Sequence, residues 1–200
     1  MPIRAIVLDI GGVLEITPNL GVDRKWEAEF GADWVSRVLP VFRAGDLGHI
    51  TLEQVHEQIV DILGVPAARF EAYMEEMWVE YLGTYNAELA DYWKARRAEG
   101  YATAIISNSF VGAREREEEA YRFSELTDLI VYSHEVGLKK PDPAIYELCL
   151  ERLGLRAEEV VFVDDVEVCC EAARAVGMAA IRFVDTAQTI RDLDAILERR

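Results

Sequence analysis

A short apolar run, Ile3-Arg4-Ala5-Ile6-Val7-Leu8, closes on Asp9 and is followed by Ile10-Gly11-Gly12-Val13-Leu14. This pattern places a carboxylate at the tip of a buried strand. Three later segments repeat it, with a polar group just past an apolar run: Ala104-Ile105-Ile106-Ser107-Asn108, the loop Gly137-Leu138-Lys139-Lys140-Pro141-Asp142-Pro143, and Val160-Val161-Phe162-Val163-Asp164-Asp165. Helical patterns separate these runs, and β-branched, two-sided strands alternating with helices imply a parallel sheet covered on both faces. In such a doubly wound α/β sheet, ligands sit beyond the carboxyl ends of the strands, where the strand order reverses. Asp9, Ser107, Asp164 and Asp165 all fall there, and Asp9 is the candidate nucleophile.

The periodicity predicts strands at 3–9, 102–106, 129–132, 160–163 and 179–183. It predicts a charged helix over 113–121, another over 167–176, one carrying Leu89 and Trp93, and a last one carrying Ile190, Leu193 and Leu197. Asp142 can cap a further helix, with Pro143 in its first turn and Gly154 at its end. Between the first two strands, residues 20–83 read as helical throughout. Trp26, Phe30, Trp34 and Val38 recur every four residues, an aromatic stripe that suits a core. Thr51 and Gln54 form a capping-box pair for a helix carrying Val55, Ile59 and Ile62 and closing near Gly64. Pro66 fits a new first turn, and Phe70, Tyr73, Met74, Met77, Trp78 and Tyr81 extend the apolar face. The expected organisation is a core made of residues 1–15 and 84–200 with an all-helical cap of residues 16–83. Short Gly- and Pro-containing segments at 14–21 and 83–86 would be its hinges.

With 200 residues and 51% hydrophobic content, the chain suits one α/β core with an insertion. Its 21 Lys and Arg against 37 Asp and Glu give a net charge of −16. A surface that negative repels nucleic acid and anionic lipid, so neither is expected as a partner. The same field opposes small anionic substrates, and a phosphate site would need local cations, a metal ion being one answer. Arg4 and Asp9 interrupt the N-terminal apolar stretch, which is too short for a signal-peptide core or a membrane span, so a cytoplasmic location is expected. Cys149, Cys169 and Cys170 suit reduced thiols better than a disulfide framework.

The order of motifs resembles the haloacid dehalogenase-like hydrolase superfamily, most of whose members are magnesium-dependent phosphatases. The resemblance rests on Leu8-Asp9-Ile10-Gly11-Gly12-Val13-Leu14, on Ile106-Ser107-Asn108, on Gly137 to Tyr146 with its Lys140-Pro141 pair, and on Phe162-Val163-Asp164-Asp165 with the helix that follows. It implies a Rossmann-like core and a Mg²⁺ held by Asp9, the backbone carbonyl of Gly11, Asp164 and Asp165, with Lys140 beside it. Lys140 is favoured over Lys139 because the family's lysine directly precedes the proline. Ser107 and backbone N–H groups near Asn108 would hold the phosphoryl oxygens. A cation is needed on electrostatic grounds as well, since each like-charge contact between a carboxylate and a phosphate dianion costs roughly 4 kcal/mol at about 4 Å and an effective dielectric near 20.

Two positions depart from the family. Its second aspartate, two residues after the nucleophile, protonates the leaving alcohol; here that position is Gly11, and such acid/base help is worth ~10² to 10⁴ in rate. Glu15 is a candidate substitute, but a solvated surface glutamate is the expected state. The family's frequent Asn after the double Asp is Cys169. Arg43, His49, His56 and Arg114 are expected on the surface. The reading is a Mg²⁺-dependent phosphomonoester hydrolase acting through an aspartyl-phosphate on a small phosphorylated metabolite, sugar phosphates among the candidates. A metal-independent 2-haloacid dehalogenase and a catalytically silent phosphate- or metal-binding module are the alternatives. Monomer and homodimer both remain open.

Overall fold

The structure is a computed structural model that describes residues 2–198. In chain order the elements are β1 (Ala5–Leu8), β2 (Glu15–Ile16), α1 (Val22–Phe30), α2 (Trp34–Asp46), α3 (Leu52–Leu63), α4 (Ala67–Leu82), β3 (Thr84–Tyr85), α5 (Ala87–Ala98) and β4 (Ala102–Ser107). Then follow α6 (Ala113–Tyr121), α7 (Phe123–Leu126), β5 (Leu129–Tyr132), α8 (Ser133–Val136), α9 (Pro143–Leu153), β6 (Val160–Asp164), α10 (Glu167–Val176), β7 (Ala179–Arg182) and α11 (Thr186–Leu197).

The main sheet is parallel, in the order β5-β4-β1-β6-β7. The fold is therefore the expected doubly wound α/β sheet with inserted helices. Every residue of β1 is buried, which explains why that run lacks the in–out alternation of a half-exposed strand. One face packs Ile6, Leu8 and Ile105 against Leu89, Trp93 and Leu193. The other packs Val7, Ala104 and Phe162 against Ile145, Tyr146 and Ala173. In register, Leu8 lies between Ile105 and Val163, so the chain leaves β1 midway along the sheet with β4 and β6 as neighbours.

The insert α1 to α4 has its own apolar cluster, joined by Phe110 and Val111 from the segment after β4. The aromatic stripe is real, but it does not ride on one helix. Gly31 at φ 94° ends α1, and α2 restarts after Asp33. Phe30 and Trp34 still meet at 5.2 Å between ring centroids, and Trp34 meets Tyr73 at 5.0 Å, so packing continues across the break. Both halves of the Thr51/Gln54 capping box form. Asp142 caps α9, accepting from the Ala144 N–H at 3.0 Å. Ile62 differs from expectation, standing half-exposed at the end of α3.

The two segments joining the insert to the sheet pair with each other, Glu15 with Tyr85 and Ile16 with Thr84, in a short antiparallel ladder. Gly83 is required in it, since its φ is +59° and a Cβ would sit 2.5 Å from the Ile16 carbonyl oxygen. Two residues per strand carry no periodic signal, so this ladder is invisible in the sequence. No helix among the described residues is long and apolar enough to cross a membrane.

Candidate active site

Asp9 is held where β1 ends. Its N–H donates to the Val163 carbonyl at 2.9 Å, and its Oδ1 accepts from the Ile10 N–H at 2.7 Å. The chain then turns tightly, with the N–H groups of Val13, Leu14 and Glu15 all directed at the Ile10 carbonyl. Gly12 makes this turn possible. Its φ is +76°, and a Cβ would stand 2.5 Å from Asp165 Oδ2, so the backbone approaches that carboxylate as only glycine can. Gly11 lies in the same turn, its backbone bridged to Glu15.

Lys140 comes from the loop before α9 and is buried, its side chain 2% exposed. A solvated lysine is the ordinary state of this residue type. Here Nζ lies 2.7 Å from Asp9 Oδ1 and 2.6 Å from Asp164 Oδ2. The exposed Asn108 clamps the lysine's backbone, accepting from the Lys140 N–H at 2.8 Å and donating to its carbonyl at 2.9 Å. The Asn108 side chain thus positions a lysine rather than facing open space. Ser107 is buried at the end of β4, beside β1. Asp164 Oδ1 accepts from the Val166 N–H at 2.8 Å, which orients the carboxylate. Asp165 is half-buried, and its carbonyl accepts from Arg182 Nε at 3.2 Å.

Asp9, Asp164 and Asp165 each offer an oxygen, and these atoms lie within 4.8 Å of one another. Three carboxylates around one ammonium leave 1 − 3 = −2, the charge a divalent cation would cancel. Burial and the neighbouring carboxylates both act on these acids. Burial first, with the Asp164 charge, pushes Asp9 up to about 7 against the opposing pull of Lys140. Asp165 is raised by burial and by Asp164. Burial works against the Lys140 charge, yet Asp9 and Asp164 outweigh it and hold the ammonium protonated, its pKa raised.

Glu15 is where the expectation fails. It is 0% exposed, and among the described residues neither carboxyl oxygen has a hydrogen-bond partner. Burial, then the charges of Glu117 and Asp9, push its pKa up to about 10. Glu117, on the outwardly charged helix α6, is also fully buried. It accepts from the Tyr132 hydroxyl, with burial pushing it up to about 7. This acid sits in a run of charged residues, Arg114 to Glu119, that reads as a solvated helix face. Its one signal in the sequence is the i,i+4 spacing from Ala113, which puts the two residues on the face that the structure buries. Arg114, expected to be a plain surface residue, forks onto Glu135, with Nη2 at 2.8 Å, and lies 4.7 Å over the Tyr132 ring. His56 is half-buried against Phe70, whereas Arg43 and His49 are exposed.

A carboxyl raised from 4.5 to about 10 keeps its proton in the fold where the unfolded chain has lost it. Its contribution to stability is complete below pH 4.5 and drains away as pH climbs toward 10. At about 1.4 kcal/mol per unit, the loss by pH 7 is roughly 3 kcal/mol. Glu15→Gln is therefore expected to stabilise the protein at pH 8 and to do little at pH 4.5. Urea unfolding at the two pH values checks this, and an equal shift at both would contradict the buried, protonated acid.

Residues 46–183 match the haloacid dehalogenase-like hydrolase family. Mouse (Mus musculus) acyl-CoA dehydrogenase family member 10 is 28% identical over 205 residues, covering 97% of this chain; the chain spans 19% of the length of that relative. Sesquiterpene phosphatase astK of Aspergillus oryzae is 26% identical over 193 residues, covering 95% of this chain and 94% of its own. Among solved structures, the HAD family enzyme bt-2542 of Bacteroides thetaiotaomicron, in complex with magnesium and inorganic phosphate, superposes with a TM-score of 0.77 at 22% identity, over 90% of this chain and 93% of that one. With the motif order, the parallel sheet and the family match in agreement, this chain belongs to the haloacid dehalogenase-like hydrolases.

Proposed function

We propose that the chain is a magnesium-dependent phosphomonoester hydrolase that works through an aspartyl-phosphate on Asp9 and acts on a small phosphorylated metabolite. The observation that carries this reading is the buried Lys140 ammonium shared by Asp9 and Asp164 at 2.7 and 2.6 Å, beside a third carboxylate with which they leave a net charge of −2. An all-oxygen donor set of this charge fits a hard divalent ion. Asp9, Asp164, Asp165 and the Gly11 carbonyl would hold it. Magnesium bound there would offset the repulsion between Asp9 and a phosphate dianion. The phosphatase named above and the magnesium and phosphate of the structural neighbour support the same chemistry.

The close donors to Asp9, Ile10 N–H and Lys140 Nζ, both meet Oδ1, which leaves Oδ2 to attack phosphorus in line. The P–O bond to the alcohol breaks, and the alkoxide takes a proton from solvent water, since Gly11 offers no acid. Water then attacks the phosphorus of the acyl phosphate, releasing inorganic phosphate and restoring Asp9. Ser107, at the adjoining strand end, would donate to a phosphoryl oxygen. Residues 16–83 act as a cap over the site. A metal-free dehalogenase is disfavoured, because Asp164 and Asp165 would repel the carboxylate of a haloacid.

Hydrolysis of p-nitrophenyl phosphate is expected with Mg²⁺ and is expected to fall by at least ~10²-fold in EDTA. Turnover indifferent to chelation would count against the proposal. Halide release from 2-chloropropionate without added metal would favour the dehalogenase instead.

A further inference from the structure

Resting on the phosphatase reading, we infer that the alcohol half of the substrate is an uncharged hydrocarbon or aromatic group rather than a sugar. It would be bound in a cavity of about 420 Å³ between the helical insert and the segment after β4. The lining of the cavity holds none of the catalytic residues but is tied to the loops that carry them. Phe110, in its wall, follows closely on Ser107 and Asn108. Asp46, also in the wall, stands 3.9 Å from Lys139, the neighbour of Lys140. A larger hollow of about 720 Å³ between α3 and α4 takes none of its lining residues from these loops.

Several polar groups of the wall are already engaged within the protein, while the Asp46 carboxylate has, among the described residues, only the Lys139 contact at 3.9 Å. Tyr73 donates its hydroxyl to Asp23 Oδ1 at 2.8 Å, and Trp34 Nε1 donates to the Asp23 carbonyl at 3.2 Å. Glu80 Oε2 accepts from the N–H groups of Leu20 and Val22 at 3.1 and 3.2 Å. The surface left for a ligand is mostly apolar, from Trp34, Leu39, Phe42, Met77 and Phe110. Val35 and Leu39, also in the lining, are 39% and 38% exposed, so the apolar surface extends to solvent. The many hydroxyls of a sugar entering here would lose water against this apolar surface and find only a few carboxylate oxygens, on Asp23, Asp46 and Glu80, as acceptors, which weakens binding. A second phosphate or a carboxylate on the substrate would face Asp23, Asp46 and Glu80 in the same wall. At about 30 Å³ per methylene- or water-sized group, the space holds roughly a dozen such groups.

The test uses the whole chain with Mg²⁺ and separates this inference from the reading beneath it. Acetyl phosphate, too small to reach far into the cavity, reports phosphoryl transfer alone. Octyl phosphate, used below its micelle concentration, is expected to exceed glucose 6-phosphate and glucose 1-phosphate by at least ~100-fold in kcat/KM. Independently of turnover, alkylphosphonates from methyl to octyl are titrated by tryptophan fluorescence. Affinity should rise by up to about fourfold per buried methylene, and Leu39→Asp should weaken octylphosphonate at least tenfold. Hydrolysis of acetyl phosphate with sugar phosphates equal to or better than octyl phosphate would overturn the substrate class and leave the phosphatase standing. No turnover of acetyl phosphate would overturn the phosphatase reading. Phosphonate affinity that ignores chain length would overturn the apolar pocket even then.

Discussion

Asp9→Asn is expected to lower p-nitrophenyl phosphate hydrolysis by at least ~10⁴-fold, as loss of a nucleophile does elsewhere, while the protein stays folded. The amide oxygen of asparagine can still accept from the Ile10 N–H that now meets Oδ1 at 2.7 Å. Lys140 keeps Asp164 at 2.6 Å, so the buried ammonium is not stranded. Stability should even rise in metal-free buffer above neutral pH. Asp9 is raised from 3.8 to about 7 in the fold, so what it contributes is complete below 3.8 and is lost as pH rises through about 7. Steady-state kinetics and urea unfolding in EDTA at pH 8 check the two halves together. Turnover retained within tenfold would remove Asp9 from the nucleophile's role.

Lys140→Met is expected to give the largest loss of stability, about 3 to 5 kcal/mol in EDTA, because removing one member of a buried ion pair strands the other. Here two buried carboxylates, Asp9 and Asp164, would lose the ammonium that bridges them. The two acids would then repel each other, so the loss should be greater at pH 8 than at pH 5. Added Mg²⁺ should return part of it, since a divalent cation can meet the same carboxylates. Denaturant midpoints for wild type and variant, each with EDTA and with Mg²⁺, measure the difference. A Lys140→Met protein as stable as wild type in EDTA would show that the ammonium is not needed to hold these acids together.

The order of elements was legible because it depends on local spacing. The runs around Val7, Ile105 and Phe162 are apolar on both faces because both faces of the sheet are covered. Helices α6 and α10 begin and end where periodicity and punctuation place them. The Thr51/Gln54 box and the Asp142 cap are short-range hydrogen bonds within a few residues, written into adjacent side chains. The stripe from Trp26 to Val38 shows the limit. A four-residue repeat records which side chains share a core, but not that Gly31 has turned the chain between two helices.

From sequence alone came the family, the parallel sheet, and the short set of side chains gathered at its carboxyl edge, because strand direction carries each run's last polar residue to the same side. What only the tertiary structure decided is the electrical state of those groups. Burial of a charge depends on what packs over it from elsewhere in the chain, as Asp9 and Asp164 close over Lys140 and Tyr132 meets Glu117. Glu15 makes the point most sharply. Nothing in its neighbours along the chain distinguishes it from a solvated glutamate, yet packing removes its water entirely and leaves its carboxyl protonated at neutral pH.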